Sequence, residues 1–339
     1  MNLLTIYEAV NKIINQIDFS SLWPNFKKYD FALYNDEFVI INGEKITKTD
    51  EFTGNTAIKY EGNFIAIWYL QNSLDEKILV SKLIHEMFHA FQYEQNEKRF
   101  PDELDALFNY ENSLDLLQLK YYESITLLEL DNNFTSFNFK EFLNIRAYRK
   151  KQYPYQYEYE SKIEVVEGMA QFVELKALGQ IDENLYLKQY NKLKERIKNI
   201  NNYFPIRIIS YDIGTLLIKV MLDNDIDVNQ KINSNAFLLD KQLKAFVIKD
   251  LCYPSEKKVT EAYKKDIAKL NGIIASGTKN YKDKIIGEFN LKFLNVYDAR
   301  YYKGYIYSKY FVMIEEKGLL LGDFLLKTDK FKVTEIYKL

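Results

Sequence analysis

The amino-acid sequence predicts an α+β fold, and three observations predict it. The hydrophobic pattern has a period of two near the N-terminus, a helical period from about residue 73 to about residue 270, and a period of two again to the end. Of 339 residues, 47% are hydrophobic and 28% charged, with only 12 Gly and 5 Pro, the balance of a chain that buries a substantial core. Turn and breaker residues separate or bound the runs: Asn35-Asp36, Asn42-Gly43 and Glu61-Gly62-Asn63 among the strands, Pro101, Pro154 and Pro205 at element boundaries.

The chain opens on an amphipathic helix. That segment has no basic stretch, no continuous apolar run and no small-residue cleavage site of a secretory leader, so the expectation is a soluble, cytoplasmic protein. No run approaches the roughly 18 apolar residues a membrane span needs. Phe31 to Tyr34, Glu37 to Ile41, Thr56 to Tyr60 and Phe64 to Leu70 are short, rich in β-branched and aromatic residues and bounded by turn signals, which predicts a small mixed or antiparallel sheet. Ser73 and Glu76 then form a capping-box pattern that opens a helix. A long, mainly helical stretch follows over 102–160, ending in the Tyr-rich YPYQYEYE, for which the pattern selects no structure.

Near the C-terminus, Phe289, Leu291 and Phe293 alternate with polar residues. Runs at Tyr305 to Ile314, Leu319 to Leu326 and Phe331 to Tyr337 are separated by Glu316-Lys317-Gly318 and Thr328-Asp329-Lys330. The expected division is therefore one domain over 1–275, carrying a helical insertion at about 102–160, and an antiparallel β-unit over 281–339. The β-unit has no role that its sequence reveals beyond offering a surface to a protein partner.

Bulk charge narrows the functional classes. A net charge of −2 leaves no electrostatic footprint for nucleic acid or for an anionic membrane. The single cysteine, Cys252, excludes an intrachain disulfide framework.

The informative feature is the placement of the only two histidines in the chain. They stand in His85-Glu86-Met87-Phe88-His89, four apart with Glu after the first. Residues i and i+4 of a helix face the same way, so both imidazoles reach one Zn²⁺ at about 2.0 to 2.1 Å. Ser81, Lys82 and Gln92 share that side, while Val80, Leu83, Met87, Ala90 and Phe91 face away, which predicts a polar metal-bearing face and a core face. Glu86 lies at the flank, where a general base for a metal-activated water belongs.

With no third histidine, a catalytic zinc draws its remaining protein ligand from a carboxylate or from Cys252, and a carboxylate suits the company better. Glu164-Val165-Val166-Glu167-Gly168-Met169-Ala170-Gln171-Phe172-Val173-Glu174 offers one apolar face and one acidic face. The plain alternative is an acidic, solvated helix surface.

HEMFH followed by EGMAQFVE resembles the gluzincin zinc metallopeptidases, and in detail the aminopeptidase N branch, whose HExxH is followed by NEGFAxxxE. The resemblance covers about residues 55 to 225 and implies a thermolysin-like catalytic domain with a small N-terminal sheet, a zinc helix and a mainly helical second lobe. It implies that His85, His89 and Glu167 hold one zinc, with Glu164 as the rival third ligand, and that Glu174 is a supporting or substrate-facing acid. Tyr211-Asp212-Ile213-Gly214 resembles that branch's Tyr-x-x-Gly segment, which implies that Tyr211 stabilises an oxyanion and Glu86 acts as the base. It also implies an edge strand at Asn63 to Leu70 that pairs with an extended substrate, within which Trp68 reads better as a buried core residue than as a substrate contact.

Three departures limit the likeness. Val166 stands where the family has Asn, 77 residues lie between His89 and Glu167 where the family has far fewer, and no GxMEN-like segment precedes the zinc helix. The last removes the grip on a free amine, so peptide-bond hydrolysis is expected and exopeptidase action is not. The alternative is a catalytically inactive module that binds a peptide or protein on the same scaffold.

Overall fold

A computed structural model describes residues 2–71, 74–279, 284–329 and 331–339 as a mixed α+β protein with a small sheet, a helical region and a C-terminal antiparallel sheet. No helix among the described residues is long and apolar enough to cross a membrane.

Helix α1 (Leu3–Ile14) starts at Asn2, whose side chain accepts from the Leu4 amide, and the short α2 spans Phe19–Leu22. Five strands follow: β1 (Phe31–Tyr34), β2 (Phe38–Ile41), β3 (Glu44–Thr47), β4 (Thr56–Tyr60) and β5 (Asn63–Tyr69). They lie in the order β3-β2-β1-β5-β4, parallel only between β1 and β5. Two-residue turns at Asn42-Gly43 (φ 51° and 80°) and Glu61-Gly62 (φ 48° and 87°) join β2 to β3 and β4 to β5, where glycine accepts the left-handed backbone such hairpins need. Strand β3 escaped the sequence pattern because Ile46 is its one apolar residue and it lies exposed at an edge. Strand β5 is internal, paired on both sides by β1 and β4, so the expected substrate-pairing edge at Asn63 to Leu70 is not an edge, and Trp68 lies half-buried within it.

Helix α3 (Glu76–Glu94) begins at Asp75, whose carboxylate accepts from the Lys77 and Ile78 amides at 2.9 and 3.2 Å. Ser73 lies outside the described residues, and Glu76 is the first helical residue rather than the third, so it does not occupy the capping-box position. The helix ends on Asn96 (φ 57°), with Glu97 N–H on Gln92 O at 2.9 Å and Asn96 N–H on Tyr93 O at 3.1 Å, a Schellman closure.

Then come α4 (Glu103–Asn109), α5 (Leu114–Asn132), α6 (Ser136–Gln152), α7 (Pro154–Ile181), α8 (Glu183–Lys198), a 3₁₀ turn (Ile200–Tyr203), α9 (Ile206–Asp223), α10 (Asp240–Lys244) and α11 (Lys257–Lys279). Pro154 opens α7, where its missing N–H costs nothing, and the Tyr-rich run is the first two turns of that helix. The last strands are β6 (Ile285–Leu294), β7 (Arg300–Tyr302), β8 (Tyr305–Ser308), β9 (Phe311–Ile314), β10 (Gly318–Leu321), β11 (Phe324–Asp329) and β12 (Lys332–Lys338). They form an antiparallel sheet in the order β10-β9-β6-β12-β11-β8-β7. Tyr305 to Ile314 and Leu319 to Leu326, read as single runs, are each broken into two strands by a tight turn, and residues 281–283 and Lys330 lie outside the described residues.

The chain groups into two compact units that do not follow sequence order. The first comprises Met1–Phe100, Ser161–Arg196 and Tyr211–Ala245; the second comprises Pro101–Glu160, Ile197–Ser210 and Phe246–Leu339. Stretch 102–160 thus shares a unit with the C-terminal strands, and Leu104, Leu107 and Phe108 of α4 pack on the sheet core of Phe289, Leu291, Ile306, Ile314 and Ile336. In the first unit Ala32, Tyr34, Val39, Ile65 and Ile67 fill one face of the sheet, while α1 and α3 pack against the strands.

Candidate metal centre

Within the first unit, α3 presents His85 and His89, and α7 brings Glu167 to them. The two Nε2 atoms are 3.1 Å apart, and Glu167 Oε2 lies 3.6 Å from that of His85 and 3.3 Å from that of His89. Tetrahedral zinc with ligands at about 2.0 to 2.1 Å sets its donors about 3.3 to 3.4 Å apart, so these three distances are those of one face of such a site. Among the described residues no other histidine, cysteine or acid joins this group, whose ligand atoms all lie within 4.8 Å of one another.

Partners on the far side of each ring fix which nitrogen is left open. Gln92 donates its amide to the Val166 carbonyl at 2.9 Å, so its oxygen must be the atom that faces His89 Nδ1 at 2.8 Å, and that Nδ1 carries the proton. His85 Nδ1 meets Glu174 Oε2 at 3.0 Å, an acceptor, and is also a donor. Both Nε2 atoms therefore face inward, together with a carboxylate oxygen. Orienting a ligating histidine through its other nitrogen is how metal sites are held in register. Gln92 does a second task, since its bond to Val166 pins α3 to α7 beside Glu167.

The electrostatics follow from three acceptors facing one point. Burial opposes the charged form of His85, but hydrogen bonds to Glu167 and Glu174 overcome it and carry the ring up to about 10, so a proton sits among these acceptors in the metal-free protein. Burial likewise works against the Glu174 carboxylate, yet Lys82, at 2.7 Å, and His85 hold it down at about 2. Burial raises the Glu86 carboxyl, moderated by His85 and His89. In the metal-free protein the protonated His85 ring and Lys82 offset the Glu167 and Glu174 carboxylates, and a divalent ion would take the place of the His85 proton.

The expected two-faced helices are covered on both sides. Ser81, His89 and Gln92 of α3 are buried along with its apolar face, and Lys82 alone of that set stays half-exposed. On α7, Glu160, Glu164 and Glu174 are all buried, so the solvated acidic surface is not what forms. Glu164 lies under the crossing of α7 and α9 and is not in the ligand group. A Cβ on Gly214 would sit 2.6 Å from the Glu164 carbonyl oxygen, and one on Gly168 2.8 Å from the Gly214 Cα, so the helices touch backbone to backbone and only glycine serves at either position. Thr215 Oγ1 donates to the Gly168 carbonyl at 3.2 Å in the same crossing. Tyr211, half-buried, precedes that crossing by one turn of α9. Its neighbour Asp212 is held by Gln171 at 2.8 Å and by Arg196 at 2.6 and 2.7 Å.

Two contributors were not legible as site residues. Gln92 shares a face with the histidines, but its bond to Val166 depends on a helix 74 positions away. Tyr93 follows His89 by four, and its hydroxyl is raised by burial and by the Glu167 and Glu86 carboxylates. No protein-family model, no curated protein and no solved structure matches the chain.

Proposed function

We propose that this chain is a zinc-dependent peptide-bond hydrolase of the gluzincin type, acting on a peptide or protein substrate. The observation that carries the reading is the convergence of His85 Nε2, His89 Nε2 and Glu167 Oε2 at 3.1 to 3.6 Å with both Nδ1 atoms already committed to Glu174 and Gln92. His85, His89 and Glu167 would hold the metal, and Glu174 and Gln92 would orient the rings. When bound, zinc supplies Lewis acidity and lowers the pKa of water at its remaining position.

The chain's own groups then divide the proton work. Glu86, buried and adjacent to the first histidine, takes a proton from the attacking water and returns it to the leaving amine. Tyr211 donates its O–H to the oxygen that gains charge as the carbonyl is attacked, a task left to a phenol because the chain has no third histidine. A hydrolase requires an open cleft with water at the metal, whereas an inactive binding module is expected to have a blocked cleft or a fourth protein ligand, and the three-residue ligand group is compatible with the hydrolase.

Glu86→Gln tests the role of the base. It should retain zinc and lose about 10²- to 10⁴-fold in cleavage of an unbiased peptide library. Turnover at the wild-type rate with zinc bound contradicts the assignment.

A further inference from the structure

Strand β10 carries three leucines in a row, Leu319-Leu320-Leu321, although a strand turns only alternate residues toward its core. Leu320, opposite Val312, packs on the core of the C-terminal sheet. Leu319 and Leu321 point the other way and are 51% and 68% exposed. Opposite them on β9 stand Met313 and Phe311. Phe293 of β6, opposite Met313, is 48% exposed and meets the Phe311 ring edge-on at 6.2 Å between centroids. These five apolar side chains share one outer face across three strands, a contiguous patch rather than scattered surface leucines.

The same strand is an edge: it pairs with β9 and, among the described residues, with no strand on its other side. Gly322 N–H donates to the Tyr310 carbonyl at 2.8 Å, so these two residues are a hydrogen-bonded pair of the antiparallel ladder. Such pairs alternate, so Leu320 also bonds to β9, whereas the N–H and C=O groups of Leu319 and Leu321 point away from it. Natural edges are blunted by charges, prolines or bulges, and β10 has no charge and no proline between Gly318 and Gly322. Its charges stand immediately outside. Lys317 Nζ lies over the Phe289 ring at 5.4 Å, and the Asp323 carboxylate accepts from the Tyr310 amide at 3.0 Å, so neither is spent on a neighbouring ion here.

This arrangement is complementary to itself. Two copies of β10 running antiparallel with Leu320 on the twofold axis set Leu319 of each against Leu321 of the other, and the outward N–H and C=O groups of each pair then bond in both directions. Lys317 and Asp323 stand equally far from Leu320, so the same register sets lysine against aspartate at both ends. A register moved by two residues either way sets Lys317 against a leucine, Leu321 or Leu325. We infer that β10 is a homodimer interface: two copies of this chain pair through it and continue the C-terminal sheet across a twofold axis, with Lys317–Asp323 pairs flanking the leucines. One short strand on each side makes a small interface, so the dimer is reversible. It gives the C-terminal sheet a role that does not depend on the metal centre.

Sedimentation equilibrium of the whole chain between about 1 and about 100 μM tests this. The wild type should move from the mass of one chain toward that of two as its concentration rises. Leu321→Lys places a charge on the edge at a position exposed in the single chain, and should abolish association while circular dichroism stays unchanged. Lys317→Asp and Asp323→Lys should each associate at least about tenfold more weakly, because like charges then face each other at both ends. An equimolar mixture of those two variants should associate like the wild type, since the acidic copy meets the basic one at both ends, and that recovery shows both to be folded. A wild type that keeps the mass of one chain at about 100 μM overturns the proposal. So does association that survives Leu321→Lys or both charge reversals, or a mixture no tighter than its components.

Discussion

In the second unit, Lys120, Arg146 and Arg149 meet Glu123 and Glu160 with all five side chains at most 2% exposed. Arg146 and Arg149 bind the two oxygens of Glu123 at 3.1 and 2.6 Å. Lys120 and Arg149 both reach Glu160 Oε2 at 2.6 Å, and the Tyr110 hydroxyl donates to Glu160 Oε1 at 2.7 Å. Every carboxylate oxygen there has a cationic or hydroxyl donor. The first unit also buries charge, but there His85 Nε2, His89 Nε2 and Glu167 Oε2 converge on one point. Burying an ion is costly unless it is paired, so the arginine cluster pairs its own charges, whereas the histidine cluster gathers three metal-ligand atoms around one point.

That contrast breaks most sharply under substitution. Glu123→Gln leaves two buried guanidinium groups short of a counter-charge and should cost about 3 to 5 kcal/mol of stability in urea unfolding. Glu167→Gln in metal-stripped protein removes one of two carboxylates that hold the His85 proton and leaves the other, Glu174, in place, so it should cost less. Equal losses would mean that the histidine cluster is as self-sufficient as the arginine one.

A smaller effect is expected at Gln92. Gln92→Leu fills a similar volume but removes the acceptor that holds His89 Nδ1, and should weaken zinc binding about 10- to 100-fold in a competition titration. An unchanged affinity would reduce Gln92 to packing.

Smallest, and opposite in sign, is the response to pH. Burial works against Glu123, yet Arg149, Arg146 and Lys120 lower it from its ordinary 4.5 to about 2, so its contribution is present above about pH 4.5 and is lost as the pH falls through 2. His85 is raised from 6.5 to about 10, so in metal-stripped protein its contribution is complete below pH 6.5 and is lost as the pH rises through 10. Stability of the stripped protein should therefore decline at both ends, and zinc should abolish the alkaline decline, because a metal ligand has already given up its proton. An alkaline limb identical with and without zinc would contradict this.

How much of this was legible in the sequence depends on how far apart the interacting residues stand. His85 and His89 are related by one helical turn, and the turn signals at Asn42-Gly43 and Glu61-Gly62 by adjacency, so local rules reach them. Strand β3 was missed because a solvent-facing edge needs no apolar alternation. The internal position of β5 depends on pairing with β1, some thirty positions earlier, which no local pattern encodes. Helix α7 reads as amphipathic because sequence distinguishes apolar from charged residues but not an exposed glutamate from one buried against arginine or histidine. Gly168 and Gly214 look like ordinary helix glycines until the helices that carry them are seen to touch.

The central claim is that His85, His89 and Glu167 form one divalent-metal site. Calorimetric titration of metal-stripped wild type and Glu167→Ala with Zn²⁺ tests it most directly. The wild type should bind one zinc per chain, with a proton released as His85 is deprotonated, and the variant should lose that stoichiometric binding. No stoichiometric binding by the wild type, or the same binding by Glu167→Ala, would contradict it.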